Sequence, residues 1–420
     1  MNNKKLFQQV RILDPEQEID QITDVLVVDN IIEQINPQIN LNDNDDRETQ
    51  IIDATGLILA PALVDLYSNS GEPGYEDRET LASLADVAQA GGFSRLAILP
   101  NTDPVVDTVN MVSWLKNKTS IYDIQFYLWG SLTQNLAGET IAPLADLAEA
   151  GVVGFTDNQA HSNLQLVRKL LEYAQPLNLP VALVPNQLQL SGKGVIREGR
   201  NSIRLGLAGT PDIAESVAIA SLLEIASLTT TNLHLMRVST ARGVKLIQRA
   251  KEDGLNVTAS VNWHHLLLNT QMLASYDPNL RFDPPLGRED DRLALIEGVK
   301  SGVIDAIAID HQAYTYEENT VAFAQAPTGA IGLELALSLL WQNLITTGEL
   351  TPLDLWRSLS SNPLKCLQQK PISLQVGQPA ELVLFAPQKT WHVKPSTLKS
   401  RSSNTYWLNK QLQGKVLVKK

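Results

Sequence analysis

Side chains that could hold a metal or attack a substrate are few in this sequence. The 420 residues include six histidines and a single cysteine, Cys366. One cysteine excludes an internal disulfide framework and any clustered-cysteine metal site, so a metal would have to be held by His, Asp or Glu. The sequence also lacks a Gly-X-Ser-X-Gly elbow and a Gly-X4-Gly-Lys-Ser/Thr phosphate loop. The run Ser191-Gly192-Lys193-Gly194 is therefore interpreted as a loop rather than as a phosphate cradle.

Short apolar runs alternate with longer amphipathic stretches through the middle of the chain, which predicts repeated βα units around a parallel sheet. The predicted strands are residues 57–66, 95–99, 124–129, 151–155, 181–184, 232–238, 256–261 and 303–309. The helices predicted between them include residues 80–90, 142–150, 164–174, 210–228, 241–253 and 288–301. Eight such units predict an α/β protein with a closed (β/α)8 TIM barrel.

The two ends of the chain differ from this middle region, because both carry short alternating apolar runs without a long helix. Chain termini often lie close together. We therefore predict a small composite β-sandwich made from residues 1–56 and 371–420, flanking a barrel of residues 57–370. The polar segment 42–49 is interpreted as an exposed loop.

Composition and charge exclude several classes of partner. The net charge is −12 and the sequence pI is near 5.0, so the field of the protein repels nucleic-acid phosphates and anionic lipid. No apolar run is long enough for a membrane span, and the first residues show no signal-peptide pattern. We expect a soluble cytoplasmic protein that binds neither nucleic acid nor membrane.

Several motifs follow one another in a fixed order along the chain. They are Asp65-Leu66-Tyr67-Ser68-Asn69, Glu72-Pro73-Gly74, Pro100-Asn101-Thr102, Gly154-Phe155-Thr156-Asp157, Glu198-Gly199, Val238-Ser239-Thr240, Asp283-Pro284-Pro285-Leu286 and Ile309-Asp310-His311. This series resembles the dihydroorotases, which are cyclic-amide hydrolases of pyrimidine synthesis in the amidohydrolase superfamily. The resemblance implies a barrel of the amidohydrolase type.

The resemblance also implies where a metal site would lie. In active members, two histidines on strand one, a carboxylate or carbamylated lysine after strand four, one histidine on each of strands five and six, and an aspartate after strand eight serve the metal and proton transfer. The matching positions in this chain hold Tyr67 and Asn69, Asp157, Val184 (or its neighbour Pro185), Arg237 and Asp310.

These replacements predict that the site is degenerate. A phenol and a side-chain amide are poor zinc ligands, valine has no donor atom, and a guanidinium stays protonated. We therefore expect no bound metal and no catalytic residue, with Asp157 and Asp310 as remnants. The cation of Arg237 is predicted to form a salt bridge with one of these two aspartates where active relatives hold zinc.

The substrate side is also altered relative to the family. Gly71, Gly287 and Tyr314 stand where the resemblance implies two arginines and a histidine. Asn101 is the remnant of the substrate contacts, and it is also interpreted as pinning the loop after strand two.

Three functional hypotheses follow. In the first, the chain is a non-catalytic dihydroorotase-like protein, homo- or hetero-oligomeric, which by resemblance is a structural or regulatory partner of aspartate carbamoyltransferase. In the second, it is an active cyclic-amide hydrolase of dihydroorotase, hydantoinase or allantoinase type with a rebuilt site. In the third, it is a sensor that binds a small anion on Arg237.

Overall fold

The computed structural model describes residues 4–41 and 49–417. Within these residues the strands are β1 (Lys4–Asp14), β2 (Ile19–Val28), β3 (Ile31–Asn36), β4 (Thr49–Asp53), β5 (Ile58–Pro61), β6 (Leu63–Ser68), β7 (Phe93–Ile98), β8 (Gln125–Gly130), β9 (Gly154–Phe155), β10 (Val181–Leu183), β11 (Ile196–Arg197), β12 (Gly209–Thr210), β13 (Leu233–Leu235), β14 (Val257–Asn262), β15 (Ala306–Ala308), β16 (Leu382–His392) and β17 (Gln411–Val416). The predicted loop 42–49 lies outside the described residues except for Thr49, which begins β4.

Fourteen α-helices connect the strands in the described ranges. They are α1 (Leu81–Gly91), α2 (Val109–Thr119), α3 (Leu144–Ala150), α4 (Leu164–Ala174), α5 (Leu188–Ser191), α6 (Arg200–Leu205), α7 (Ile213–Ala226), α8 (Ala241–Glu252), α9 (Trp263–Leu267), α10 (Glu289–Ser301), α11 (Tyr316–Asn319), α12 (Ala336–Leu340), α13 (Pro352–Trp356) and α14 (Asn362–Cys366). Two π-helical segments, Trp341–Ile345 and Arg357–Ser361, extend α12 and join α13 to α14. In the part of the chain that the structure describes, no helix combines the length and apolarity needed to cross a membrane.

Both chain ends contribute to one seven-stranded sheet, in the order β17-β16-β5-β1-β2-β3, with β4 also paired to β1. One face of this sheet buries an apolar cluster that includes Val10, Val25 and Leu59 together with Leu374 and Ala380 from the C-terminal end. Period-2 alternation puts such residues on one face of a strand. The prediction that both chain ends combine into one composite β element is confirmed. We predicted it as a small β-sandwich, and in the structure all its strands belong to one hydrogen-bonded sheet.

The predicted strand 57–66 is two strands in the structure. β5 pairs with β1 and β16 in the end sheet, whereas β6 pairs with β7 in the barrel. Ala62 separates them. Both halves are apolar and buried, so hydrophobicity alone does not mark the point at which the chain passes from one sheet to the other.

The barrel contains eight parallel strands in the order β15-β14-β13-β10-β9-β8-β7-β6. The ring is nearly closed between β6 and β15, and just beyond these strands the Asn69 backbone N–H donates to the carbonyl oxygen of His311 at 2.9 Å. Inside the ring lie Val64, Leu66 and Ala308, and Leu364 of α14 joins the same apolar cluster. The predicted (β/α)8 barrel is confirmed.

The helix predictions hold because apolar periodicity and caps agree. Helix α4 spans the predicted residues 164–174, and its first turn is capped by Asn163, whose side chain accepts from the Leu166 backbone N–H. Helix α1 begins after Thr80, which exchanges side-chain and backbone hydrogen bonds with Ser83. Caps of this kind fix where each helix begins.

Candidate functional site

The residues singled out in the sequence lie together at one end of the barrel. Tyr67 lies in β6, Asn69 follows β6, Asn101 follows β7, Asp157 follows β9, Val184 follows β10, Arg237 follows β13 and Asp310 follows β15. The carboxyl ends of parallel strands meet at the same face of a barrel, where active sites of this architecture are built. We call this face the barrel mouth.

A bidentate ion pair between Arg237 and Asp310 occupies the centre of the mouth. Arg237 donates from Nε to Asp310 Oδ2 and from Nη2 to Oδ1, both at 2.7 Å, and Nη2 also donates to Asn158 Oδ1 at 2.6 Å. Asn262 Nδ2 donates to Asp310 Oδ2 at 3.2 Å. The two side chains are only 9% and 10% exposed. The predicted salt bridge of Arg237 is thus formed, and its partner is Asp310.

The surroundings hold Arg237 in its charged form. Burial alone would lower the pKa of Arg237, but the charge and hydrogen bonds of Asp310 outweigh it and raise that pKa above its ordinary value. Arg237 and Asp310 both have left-handed backbone conformations, with φ of 53° and 52°. Such conformations are uncommon for residues with a Cβ. Both strands therefore end in a sharp turn at the residues of the pair.

Tyr67 is fully buried inside the barrel, below the ion pair. Its hydroxyl makes a short hydrogen bond with Ser260 Oγ, and Arg237 Cζ lies 5.6 Å from the centre of its ring. Ser260 also bonds His234 Nε2 at 2.9 Å, and His234 Nδ1 bonds Thr258 Oγ1 at 2.8 Å. Burial raises the pKa of Tyr67. The phenol is therefore neutral and serves in a hydrogen-bond chain.

His234 makes stability depend on pH. Burial lowers the pKa of His234 to about 3, so the folded protein keeps this ring neutral while the unfolded chain protonates it below about pH 6.5. The unfolded state then binds more protons, and this part of the stability is lost as the pH falls from about 6.5 toward 3. We expect the fall in unfolding free energy between pH 7 and pH 5 to be smaller by about 2 kcal/mol in His234→Gln than in the wild type.

Urea titrations of both proteins at the two pH values measure this difference. His392→Gln is the matched control, because His392 is exposed on β16, and it should keep the pH dependence of the wild type. An unchanged pH dependence in His234→Gln would show that the ring is not held neutral.

The side chains of Asn69 and Asn101 form a hydrogen bond with each other instead of pointing into an empty metal site. Asn101 Nδ2 donates to Asn69 Oδ1 at 2.8 Å, and Asn69 Nδ2 donates to the carbonyl oxygen of His311 at 3.3 Å. Oxygen and nitrogen of the Asn69 amide are therefore both used. The contact agrees with the interpretation that Asn101 pins the loop after the second barrel strand.

Asp157 is committed to the loop after β8. Its Oδ1 accepts from the backbone N–H groups of Leu132 and Thr133 at 2.7 and 3.0 Å, and its Oδ2 accepts from the Thr133 hydroxyl. His161 Nε2 lies 3.3 Å from Oδ2, and burial lowers the pKa of His161. Both carboxylate oxygens are occupied, which explains why Arg237 pairs with Asp310 rather than with Asp157.

The side of the mouth near Gly71 is almost filled. A Cβ on Gly71 would lie 2.2 Å from the backbone oxygen of Glu79, so no larger residue fits there without rearrangement. Arg78 instead forms an ion pair with Glu318, 2.5 Å from Nη2 to Oε1, and lies over the ring of Tyr314 at 5.3 Å. The remaining cavity has a volume of only about 30 Å³, which leaves room for little more than water.

A larger cavity of about 350 Å³ opens on the opposite side, beside Val184. Two arginines that the sequence analysis missed, Arg197 and Arg281, line it. Arg197 ends the two-residue strand β11, and Arg281 lies between α9 and α10, so neither belongs to a segment long enough to show periodicity. Each closely precedes one of the motifs in the ordered series, Glu198-Gly199 and Asp283-Pro284. Their position next to these motifs was the signal in the sequence that could have identified them as site residues.

Comparison with known proteins identifies the family. The family model described as dihydro-orotase-like matches residues 56–242. A probable dihydroorotase-like protein of Synechocystis is 48% identical, with 88% of this chain and 90% of the relative covered. The dihydroorotase of Carboxydothermus hydrogenoformans is 37% identical, covering 93% of this chain and 90% of that protein. The chain belongs to the dihydroorotase-like family.

Solved structures show the same fold as this dihydroorotase-like chain. The L-hydantoinase (dihydropyrimidinase) of Arthrobacter aurescens superimposes with a TM-score of 0.85 at 20% identity, covering all of this chain and 95% of the hydantoinase. The dihydropyrimidinase of Brevibacillus agri gives 0.80 at 18% identity, covering 99% and 93%. These similarities establish the amidohydrolase barrel with its added sheet from the chain ends.

The residues of this dihydroorotase-like chain do not fit the zinc that active members use. Zinc takes three or four His, Cys or carboxylate ligands around one point. At the matching positions Tyr67, Asn69 and Val184 offer a bonded phenol, a bonded amide and a methyl group, and Arg237 places a cation there. Among the residues that the structure describes, no group of three or more His, Cys, Asp or Glu side chains could hold a metal ion.

Proposed function

We propose that this dihydroorotase-like protein is non-catalytic and acts in the cytoplasm as a structural or regulatory partner of aspartate carbamoyltransferase in pyrimidine biosynthesis. The observation that carries the non-catalytic assignment is the Arg237–Asp310 ion pair, with both contacts at 2.7 Å. It lies at the position where active relatives place metal ligands.

The chemistry of amide hydrolysis supports the proposal. An unactivated cyclic amide needs a hydroxide nucleophile near pH 7, and a bound metal supplies it by lowering the pKa of water from about 16 to about 7. A guanidinium carries charge but has no open coordination position. The remaining carboxylate, Asp157, is saturated by Leu132 and Thr133, which leaves it poorly placed to act as a general base.

The partner is proposed by resemblance to metal-less dihydroorotase-like chains, a class that associates with aspartate carbamoyltransferase and supports its assembly. The chain keeps the barrel and the end sheet although its residues do not fit a metal site. This agrees with selection for a surface that binds a partner. The hetero-oligomeric state is part of the same proposal.

Metal content of the purified protein, together with dihydroorotate hydrolysis in added zinc, tests the catalytic half. We expect less than about one tenth of a zinc per chain and no turnover above buffer, because the donors do not converge. Stoichiometric zinc with turnover would establish the alternative, an active cyclic-amide hydrolase with a rebuilt site. Sedimentation of the chain mixed with aspartate carbamoyltransferase tests the partner, and two unchanged peaks would refute it.

A further inference from the structure

The cavity beside Val184 is lined by more cationic than anionic side chains. Its cationic residues are Lys193, Arg197, Arg237 and Arg281, and its carboxylates are Glu215 and Asp283. The chain as a whole carries a net charge of −12. A concentration of positive charge in a cavity of an acidic protein is unexpected unless an anion enters it.

The lining carboxylates neutralise this positive charge only in part. Glu215 is fully committed to the turn that begins α8, because it accepts from the backbone N–H groups and hydroxyls of Ser239 and Thr240. Asp283 is exposed, and its charge acts on Arg237 and Arg281 without a salt-bridge contact to either among the described residues. Arg237 already pairs with Asp310 through Nε and Nη2, so its charge is less available to an anion than that of the other lining cations.

Arg197 is the buried cation without a countercharge. It is 2% exposed, and its Nη2 donates to Ser239 Oγ at 2.7 Å and, at 3.5 Å, to the Pro285 carbonyl oxygen. Its Nε has no hydrogen-bond partner among the described residues. Burying a charge is costly unless the charge is paired and hydrogen-bonded.

Arg281, which also lines the cavity, likewise has an unfilled hydrogen-bond donor among the described residues. Its Nη1 donates to the Phe282 carbonyl oxygen at 3.1 Å, and its Nε also lacks a partner in the described part of the chain. Burial lowers the pKa of Arg281 even though Asp283 opposes the shift. An anion near the guanidinium would remove that penalty.

We propose that the cavity binds a small organic oxyanion, a carboxylate or a phosphate, between the guanidinium groups of Arg197 and Arg281. Guanidinium matches the planar oxygens of both groups with paired N–H donors. Lys193, in the loop after α5, adds a further cation at the rim. The loop first interpreted from its glycines and lysine as unrelated to phosphate is therefore part of the site.

The rest of the cavity indicates that the ligand has an apolar part. Val184, Leu188 and Val195 line it beside the cations, and 350 Å³ is within the range of small-molecule pockets. An inorganic ion would leave most of that space unfilled. The proposal does not rest on the absence of catalysis or on the carbamoyltransferase partner.

Calorimetric titration with malonate and with inorganic phosphate tests the site at constant ionic strength. We expect saturable binding of at least one probe to the full-length protein, weakened at least tenfold in Arg281→Gln. Arg281 makes one hydrogen bond, so its loss should not unfold the chain. Arg168→Gln is the matched control, because Arg168 is 59% exposed on α4, and it should bind like the wild type.

The two probes distinguish a carboxylate ligand from a phosphate ligand. Saturable malonate binding identifies a carboxylate ligand, and saturable phosphate binding alone identifies a phosphate ester. Lys193→Gln provides a second variant at an exposed position and should weaken binding by a few-fold. The proposal is overturned if neither probe binds saturably, or if Arg281→Gln binds as tightly as Arg168→Gln.

Discussion

Replacing Asp310 with Asn should lower the free energy of unfolding by about 3–5 kcal/mol, because it leaves the buried guanidinium of Arg237 without its countercharge. Both side chains are about one tenth exposed, so water cannot take over the lost interaction. Asn158 and Asn262 would still offer amide groups, but neither carries a charge. Urea unfolding at pH 7 measures the change.

A double replacement separates the cost of leaving one buried charge unpaired from the stabilisation that the ion pair itself provides. Arg237→Met with Asp310→Leu removes both charges together, and it should be within about 1–2 kcal/mol of the wild type or more stable, since apolar residues often replace buried ion pairs without loss. Glu172→Gln is the control, because its pair with Arg168 is about half exposed, and it should change stability by less than about 0.5 kcal/mol. If Asp310→Asn were no more harmful than this control, the pair would not be holding the mouth together.

Restoring histidine at Tyr67, Asn69, Val184 and Arg237 together should create a zinc site. The fourfold variant supplies four imidazoles from three strands, β6, β10 and β13, and releases Asp310 from Arg237. We therefore expect about one zinc per chain by elemental analysis, against almost none in the wild type. This is the largest change that the structure predicts for metal binding.

The matched control keeps the cation in place. Tyr67→His with Asn69→His adds two ligands while Arg237 still binds Asp310 through two hydrogen bonds, and it should remain without stoichiometric zinc. Circular dichroism confirms that each variant is folded before the metal is measured. Equal zinc in the twofold and fourfold variants would contradict the view that Arg237 excludes the metal.

Much of the fold could be predicted from patterns local in sequence. Helix α4 matched its predicted residues because period-3.6 apolar spacing and an asparagine cap agree. The division of residues 57–66 into β5 and β6 could not be predicted, because both strands are equally apolar. β5 pairs with the distant β16 as well as with β1, whereas β6 pairs with β7, and pairing between separated segments leaves no periodic trace in the sequence.

The site could be predicted only in part for a similar reason. The sequence located Arg237 and offered two aspartates as its partner. Arg237 pairs with Asp310 because, in the folded chain, the backbone N–H groups of Leu132 and Thr133 donate to the carboxylate of Asp157. Arg197 and Arg281 were missed because the property that marks them, burial without a countercharge, exists only in the folded chain.

The position of β5 also sets an order of events during synthesis. β5 lies between β1, which precedes it in the sequence, and β16, which follows only at residues 382–392. On the ribosome, the N-terminal strands must therefore wait with one edge unpaired until residues 382–392 have been translated. Long-range pairing of this kind slows folding and leaves strand edges open to wrong partners. Assistance from a chaperone should matter more for this sheet than for the barrel, whose neighbouring strands emerge one after another.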